Sequence, residues 1–272
     1  MRILFIGDVM GHDAKDECLH RLPEIKKDLG VDFLIVNGEN SERGNGITAK
    51  ICHEFYNAGV DCITTGNHVW DQREILSYIK KDPKLLRPIN YPKESPGQGV
   101  AIIEANNKKL LVVNAIGRKW MSELTDDPFA AMNELLEKYK LGENIDAIFV
   151  DFHAEVTSEK MAMGQYCDGR VTAVVGTHSH IPTADLQILP NGTAYQTDAG
   201  MVGPYHNSVI GLDKDIAVRR FTVKVPHERF RPAEGEITIC GVLVETDNQG
   251  LCLRTAPLRT GGSLFEAIPN WT

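Results

Sequence analysis

The sequence predicts an α/β fold of two packed sheets, each covered on its outer side by helices. Two observations carry that expectation. Over residues 2–175, short apolar runs alternate with apolar positions at helical spacing, the signature of parallel strands joined by right-handed crossovers. From about residue 184 the pattern changes to paired strands around Gly-containing turns, which marks antiparallel hairpins. With 272 residues the chain can bury a full core without disulfide or metal staples. That length would allow two domains of ~150 residues. No repeat, low-complexity tract or clean boundary divides it, so a single domain over residues 1–272 is expected.

Residues 2–7 form the opening strand, which ends at Asp8. Residues 14–29 carry Leu19, Leu22, Ile25 and Leu29 at helical spacing, and Pro23 must kink that helix or start a second one. A strand over 32–37 is followed by a helix over 48–58, stopped by Gly59. A third strand over 61–65 precedes a helix over 71–80, and the proline-rich stretch 83–99 reads as a surface connection. Strands over 100–105 and 109–115 flank Asn106-Asn107, a hairpin signal. A helix over 128–140 starts with proline. Strands over 147–151 and 171–175 lie on either side of a helix over 158–167. Two hairpins complete the chain, 184–189 with 193–197 and 236–246 with 251–258.

The formal charge is 29 − 37 = −8, with 42% apolar and 24% charged residues, which excludes disorder, collagen-like sequence and coiled coil. No apolar run approaches the ~20 residues needed to span a bilayer. The N-terminus runs straight into a strand with no apolar leader, so a cytoplasmic protein without membrane partners is expected. Six scattered cysteines without a C-x-x-C pair read as reduced core thiols. The acidic balance and the lack of a basic run argue against stable nucleic-acid binding. A small anionic substrate remains compatible if a bound metal supplies positive charge.

Ligands of open α/β sheets gather beyond the carboxyl ends of strands. The residues there are Gly7-Asp8, Asn37-Gly38-Glu39-Asn40, Gly66-Asn67-His68, Asp151-Phe152-His153 and Gly176-Thr177-His178-Ser179-His180. Each group has an ordinary reading as a turn, cap or core residue. Five successive strands delivering metal-capable side chains to one edge are hard to explain that way. If 178–180 stays extended, period-2 geometry puts both imidazoles on one face.

Asp8, Glu39, Asn40, Asn67, His153, His178 and His180 offer seven nitrogen and oxygen donors, too many for one four-coordinate zinc. They suit two ions bridged by Glu39, and without a thiolate iron, manganese, magnesium, zinc or cobalt is admissible. Two ions about 3.5–4 Å apart can hold a hydroxide nucleophile and stabilise attacked and leaving oxygens. His68, left over from that count, is placed to protonate a leaving oxygen.

These blocks, in this order, resemble the calcineurin-like metallophosphoesterases. Their spelling is similar to the YmdB-like family of 2′,3′-cyclic-nucleotide phosphodiesterases, over nearly the whole chain to about Leu258. The broad superfamily has Asp-x-His first and Asp second. Here Asp8-Val9-Met10 lacks the histidine, the second block uses Glu39, and both changes are shared by the YmdB-like family. The resemblance implies a four-layer α/β/β/α sandwich of two mixed sheets flanked by helices. It implies that Asp8, Glu39, Asn40 and His180 hold one ion, that Glu39, Asn67, His153 and His178 hold the other, and that His68 is catalytic. It also implies iron first among the metals, or manganese.

The resulting expectation is a metal-dependent phosphodiesterase whose partner is a small cyclic nucleotide such as 2′,3′-cAMP. A homo-oligomer is left open. Action on another phosphoester, or a regulatory role in which the metal site senses nucleotides and acts through a partner, stays open as the alternative. Outside the ligand set, Arg43 could touch phosphate, and Tyr205 or His206 could line a base pocket.

Overall fold

Side-chain alternation within single strands decides the layering of this protein. The computed structural model describes residues 1–224 and 228–271. The first half comprises β1 (Arg2–Ile6), β2 (Asp8–Val9), α1 (Gly11–Asp28), β3 (Phe33–Asn37), α2 (Ala49–Asn57), β4 (Cys62–Thr64) and α3 (Ile75–Tyr78). Then come β5 (Val100–Ala105), β6 (Lys108–Ile116), α4 (Pro128–Lys138), β7 (Ala147–His153), α5 (Thr157–Cys167) and β8 (Ala173–Thr177). The remainder holds β9 (Gln187–Ile188), β10 (Ala194–Gln196), β11 (Met201–Pro204), β12 (Ser208–Val209), β13 (Leu212–Asp213) and α6 (Lys214–Thr222). The long hairpin of β14 (Ile237–Thr246) and β15 (Cys252–Thr260) closes the order.

One sheet runs β2-β11-β14-β1-β3-β4, with β15 on β14, and the other runs β5-β6-β7-β8-β10-β9. On β1, Ile3 and Phe5 point between the sheets while Leu4 and Ile6 point toward the helices. Phe33 and Ile35 against Leu34 and Val36 on β3 repeat the division. On β7, Ala147 and Phe149 join the central layer, and Ile148 and Val150 pack outward with α4 and α5. Strands apolar on both faces are what a sheet covered on both sides requires. The result is the expected four-layer α/β/β/α arrangement.

β1, β3 and β4 are mutually parallel, as are β6, β7, β8 and β10. Five of these strands, β1, β3, β4, β7 and β8, therefore point their carboxyl ends the same way within their sheets. The β5–β6 hairpin turns on Asn106 and Asn107, with φ of 51° and 58°, as a primed two-residue turn demands.

Several boundaries differ from expectation. The helix over 14–29 begins at Gly11 and continues through Pro23 as one element, so no second helix starts there. Ala14, Cys18 and Leu22 hold its buried face against the sheet, which outweighs the one backbone bond that proline removes. The helix over 71–80 shrinks to Ile75–Tyr78, because the turns at 68–74 are taken up in shaping the site loop. β8 lies two residues later than expected and β7 extends to His153. The short strand β11, the β12–β13 ladder and α6 are not anticipated by the periodicity of the sequence.

All six cysteines are buried and unpaired. Among the described residues, no helix is long and apolar enough to cross a membrane.

The sheets meet at Phe5 and Phe149, buried rings with centroids 5.0 Å apart. Phe149→Ala should destabilise the protein by about 3–5 kcal/mol, read as a lower urea midpoint, since the rigid sheets cannot close the cavity.

Candidate metal centre

The strand ends bring the predicted donors together by means of glycine. A Cβ at Gly7 would overlap the Gly200 carbonyl, so only glycine lets Asp8 step from β1 into its pairing with Met201. A Cβ at Gly66 would overlap Glu39 Oε2 and the His153 ring. That loop therefore passes directly against the donors and brings Asn67 and the His68 backbone onto them.

Two groups of donors form around a shared carboxylate. Ligand atoms of Glu39, His153 and His178 lie within 4.8 Å of one another, and so do those of Asp8, Glu39 and His180. Asn67 joins the first group, its Oδ1 2.9 Å from His153 Nε2. Asn40 joins the second, its Nδ2 3.1 Å from Glu39 Oε1 and 3.2 Å from His180 Nε2. His68 belongs to neither group. Its backbone N–H donates to Glu39 Oε2 at 3.2 Å, and its Nδ1 lies 2.8 Å from Asp71 Oδ2.

His153 and His180 each have a hydrogen-bond partner on the outer nitrogen and His178 has a carboxylate beside it, leaving the inner nitrogens for the cluster. Thr177 donates its hydroxyl proton to Asp151 Oδ1 at 2.6 Å, so it accepts from His153 Nδ1–H at 2.9 Å. His180 Nδ1 donates to the Ile210 carbonyl at 2.7 Å, and His178 Nε2 lies 3.1 Å from Glu155 Oε2. Such outer partners fix the tautomer and raise the basicity of metal-binding histidines.

The backbone at 178–180 departs from the extended form expected for it. His178 and His180 have φ of 96° and 64°, and Ile210, which carries the acceptor for His180, has 49°. Left-handed geometry at such residues costs about 1–3 kcal/mol each and persists only where surroundings impose it. Asp198 does so, accepting from Ser179 N at 3.0 Å and Ser179 Oγ at 2.7 Å while paired with buried Lys160 at 2.7 Å. The turn sends the two imidazoles to different donor groups, which an extended strand would not do.

Electrostatically the cluster is short of positive charge. Burial raises the Asp8 carboxyl above its usual range, and the Glu39 and Asp198 charges add to that rise. Burial opposes ionisation of Glu39, but His153 and the other imidazoles hold it well below the carboxylate range. Burial pulls the His153 imidazole down, and the carboxylates of Glu39 and Asp8 reverse this to about 9. Burial and the adjacent His153 push His178 down to about 3.

The donors fit a cation. Among the described residues, Asp8 Oδ1 and Asn40 Oδ1 are buried acceptors without any hydrogen-bond partner. Around His153 Nε2 lie Asn67 Oδ1 at 2.9 Å, His178 Nδ1 at 3.1 Å and Glu39 Oε1 at 3.2 Å, and no single proton serves all three. Carboxylate, amide and imidazole donors without thiolate are the chemistry of iron, manganese, magnesium and zinc sites.

Residues 4–258 match the family described as YmdB-like protein. The chain belongs to that family. A 2′,3′-cyclic-nucleotide 2′-phosphodiesterase of Bacillus subtilis (strain 168) is 47% identical to this YmdB-like chain over 92% of each. A Thermus thermophilus structure, described as a hypothetical protein, superposes with a TM-score of 0.89 at 39% identity, covering 97% of this chain and 100% of the other. A structure described as a novel phosphatase from Mycoplasma pneumoniae gives 0.89 at 35%, covering 99% and 95%.

The centre of this YmdB-like chain opens into a cleft of about 700 Å³ lined by Glu39, Asn40, His68, His178 and His180. Arg43 is on its wall. Tyr205 and His206 are not. The Tyr205 hydroxyl instead donates to the His180 carbonyl at 2.9 Å and supports the strained turn from behind. His206 is exposed away from the cleft. Asp71, Glu155 and Arg220 are not singled out by the sequence, Asp151 is named there only as the neighbour of His153, and the Arg229-Phe230-Arg231 run offers a local signal.

Removing the Thr177 hydroxyl tests the outer contacts. Thr177→Val should weaken metal retention about 10–100-fold in competition with a chelator, followed by elemental analysis. Thr177→Ser should retain the metal, and equal retention by both variants would show that the hydroxyl has no part in holding His153.

Proposed function

We propose that this protein is a dinuclear-metal phosphodiesterase that opens 2′,3′-cyclic nucleoside monophosphates such as 2′,3′-cAMP. The observation that supports it best is the outward partner of each of the three imidazoles, a hydrogen bond for His153 and for His180 and the Glu155 carboxylate for His178, which leaves three ring nitrogens facing buried carboxylate and amide oxygens. Asp8, Glu39, Asn40 and His180 would hold one ion and Glu39, Asn67, His153 and His178 the other, with iron the first candidate and manganese, magnesium or zinc admissible. When bound, such ions supply Lewis-acid activation of water and neutralise the phosphoryl oxygens.

The chain's own residues do the rest. The glycine at 66 lets its loop lie against Glu39 and His153 with no side chain between them. His68 faces the cleft beside the donors, with its Nδ1–H bonded to Asp71. Its Nε2 is then aimed by that contact to protonate the departing ribose oxygen. Water adds to phosphorus, one ribose P–O bond breaks, and the freed oxygen takes the His68 proton. The Asp71 carboxylate stabilises the imidazolium that must form beforehand.

The expected result with manganese- or iron-loaded protein is hydrolysis of 2′,3′-cAMP in preference to 3′,5′-cAMP and to an aryl phosphate. His68→Ala should reduce turnover by about 10²–10⁴-fold with metal content unchanged. Asp8→Ala should lose activity, and Glu39→Ala should lose both activity and metal by elemental analysis. Undiminished turnover in Asp8→Ala and His68→Ala would refute the assignment.

A further inference from the structure

One wall of the cleft has no task in the reaction described above. Arg43, Arg220, Arg229, Phe230 and Arg231 face the same space as His68, His178 and His180. Two of these guanidiniums have carboxylates of their own. Arg231 binds Asp213 Oδ2 through Nη2 at 2.8 Å and Nε at 3.1 Å, and Arg43 Nε lies 3.6 Å from Glu42. Arg220 and Arg229 have no carboxylate within ion-pair distance among the described residues.

Arg220 is also held in place. Its guanidinium carbon sits 3.7 Å from the centroid of the Phe230 ring, and Nη2 donates to the Glu228 carbonyl at 3.3 Å. A guanidinium stacked by its face keeps its in-plane N–H edge for a ligand, and that planar fork matches a phosphate. Less side-chain freedom is then lost on binding.

The charge on this wall exceeds what a cyclic nucleotide needs. Its cyclic phosphodiester carries one negative charge and is the group that meets the metal donors. Two further unpaired cations match a second anion. On a nucleoside whose 2′ and 3′ oxygens are both in the phosphate ring, O5′ is the remaining ribose oxygen that can carry another phosphate.

We propose that Arg220, stacked on Phe230, and Arg229 form a second anion subsite that takes the 5′-phosphate of a 2′,3′-cyclic nucleotide. This deepens the preceding reading and rests on it for the identity of the cyclic end. The same chemistry has two sources, a free 5′-phosphorylated nucleotide and the 3′ end of a short RNA, where the 5′-phosphate is the last internal phosphodiester.

The test compares three substrates in manganese-loaded protein: 2′,3′-cAMP, its 5′-phosphorylated form, and a dinucleotide ending in a 2′,3′-cyclic phosphate. In the wild type, kcat/KM should be about tenfold higher for the phosphorylated substrates, the effect of one charge-assisted contact. Arg220→Ala should abolish that preference while leaving 2′,3′-cAMP turnover within about twofold, as for an ordinary surface change. Gain with both phosphorylated substrates supports the subsite and points to RNA ends. Gain with the mononucleotide alone supports it and restricts the source to free nucleotides. Equal kcat/KM for all three substrates in the wild type, or a preference that survives both Arg220→Ala and Arg229→Ala, overturns the proposal.

Calorimetry without added metal separates this from the reaction itself. Adenosine 5′-monophosphate should bind more tightly than adenosine, and Arg220→Ala should remove the difference. If no substrate is hydrolysed yet this difference holds, the cyclic-nucleotide reaction falls and the anion subsite stands. If the nucleotide binds no better than adenosine, the subsite falls.

Discussion

The buried carboxylate of Asp151 ties the two sheets together directly beneath the donor cluster. It sits on β7 of one sheet and accepts from Asn37 Nδ2 at 2.9 Å and Thr64 Oγ1 at 2.5 Å, which belong to β3 and β4 of the other. A third donor, Thr177 Oγ1, comes from neighbouring β8. Burial pushes the Asp151 carboxyl up to about 7, and the hydrogen bonds from the two threonines oppose that rise. A half-satisfied carboxylate at this depth would cost more than an apolar residue, so the contact tolerates only one alignment of the four strands. Most of the remaining packing between the sheets is by apolar side chains, which are non-directional. This polar tie sets which strand end faces which.

The same tie reaches the cluster through a single hydroxyl. Thr177 passes the orientation of Asp151 to His153, whose inner nitrogen is the crowded point of the site. Two strained histidines and orphaned oxygens on Asp8 and Asn40 add to the cost of the arrangement without ions. Cation binding would satisfy the orphaned oxygens and offset the strain, so metal affinity and local stability are linked in such a site. The Lys160–Asp198 pair performs the corresponding service for the 178–180 turn, as a buried ion pair that holds a shape rather than adding much net stability.

The cleft is built from two kinds of material. Its donor side comes from the ends of interior strands, where register fixes positions to within a fraction of a side chain. Its arginine side comes from α6 and the 228–231 segment, which pack through a short β12–β13 ladder rather than through either main sheet. Chemistry common to many phosphoesters suits the first. Discrimination among organic groups suits the second, which can change without disturbing the strands.

Much of this is legible along the chain, because strands of period 2 and glycine-preceded polar residues leave strong local signals. The motif Gly66-Asn67-His68 shows its own purpose, since the glycine, the donor and the spare histidine are adjacent in sequence. Asp71, the partner of that histidine, reads only as a helix-start residue until the turn is seen to replace the helix. The extended form expected for 178–180 is not adopted because its backbone is set by Asp198, distant in sequence, and not by the local residues. Composition and periodicity thus determined the two helix-covered sheets, and motif order picked out the candidate donors. The family resemblance already implied their division into two groups, whereas the left-handed turn at 178–180, the outer partners of the imidazoles and the arginine wall were decided by tertiary structure alone, since each depends on contacts between residues that no local propensity brings together.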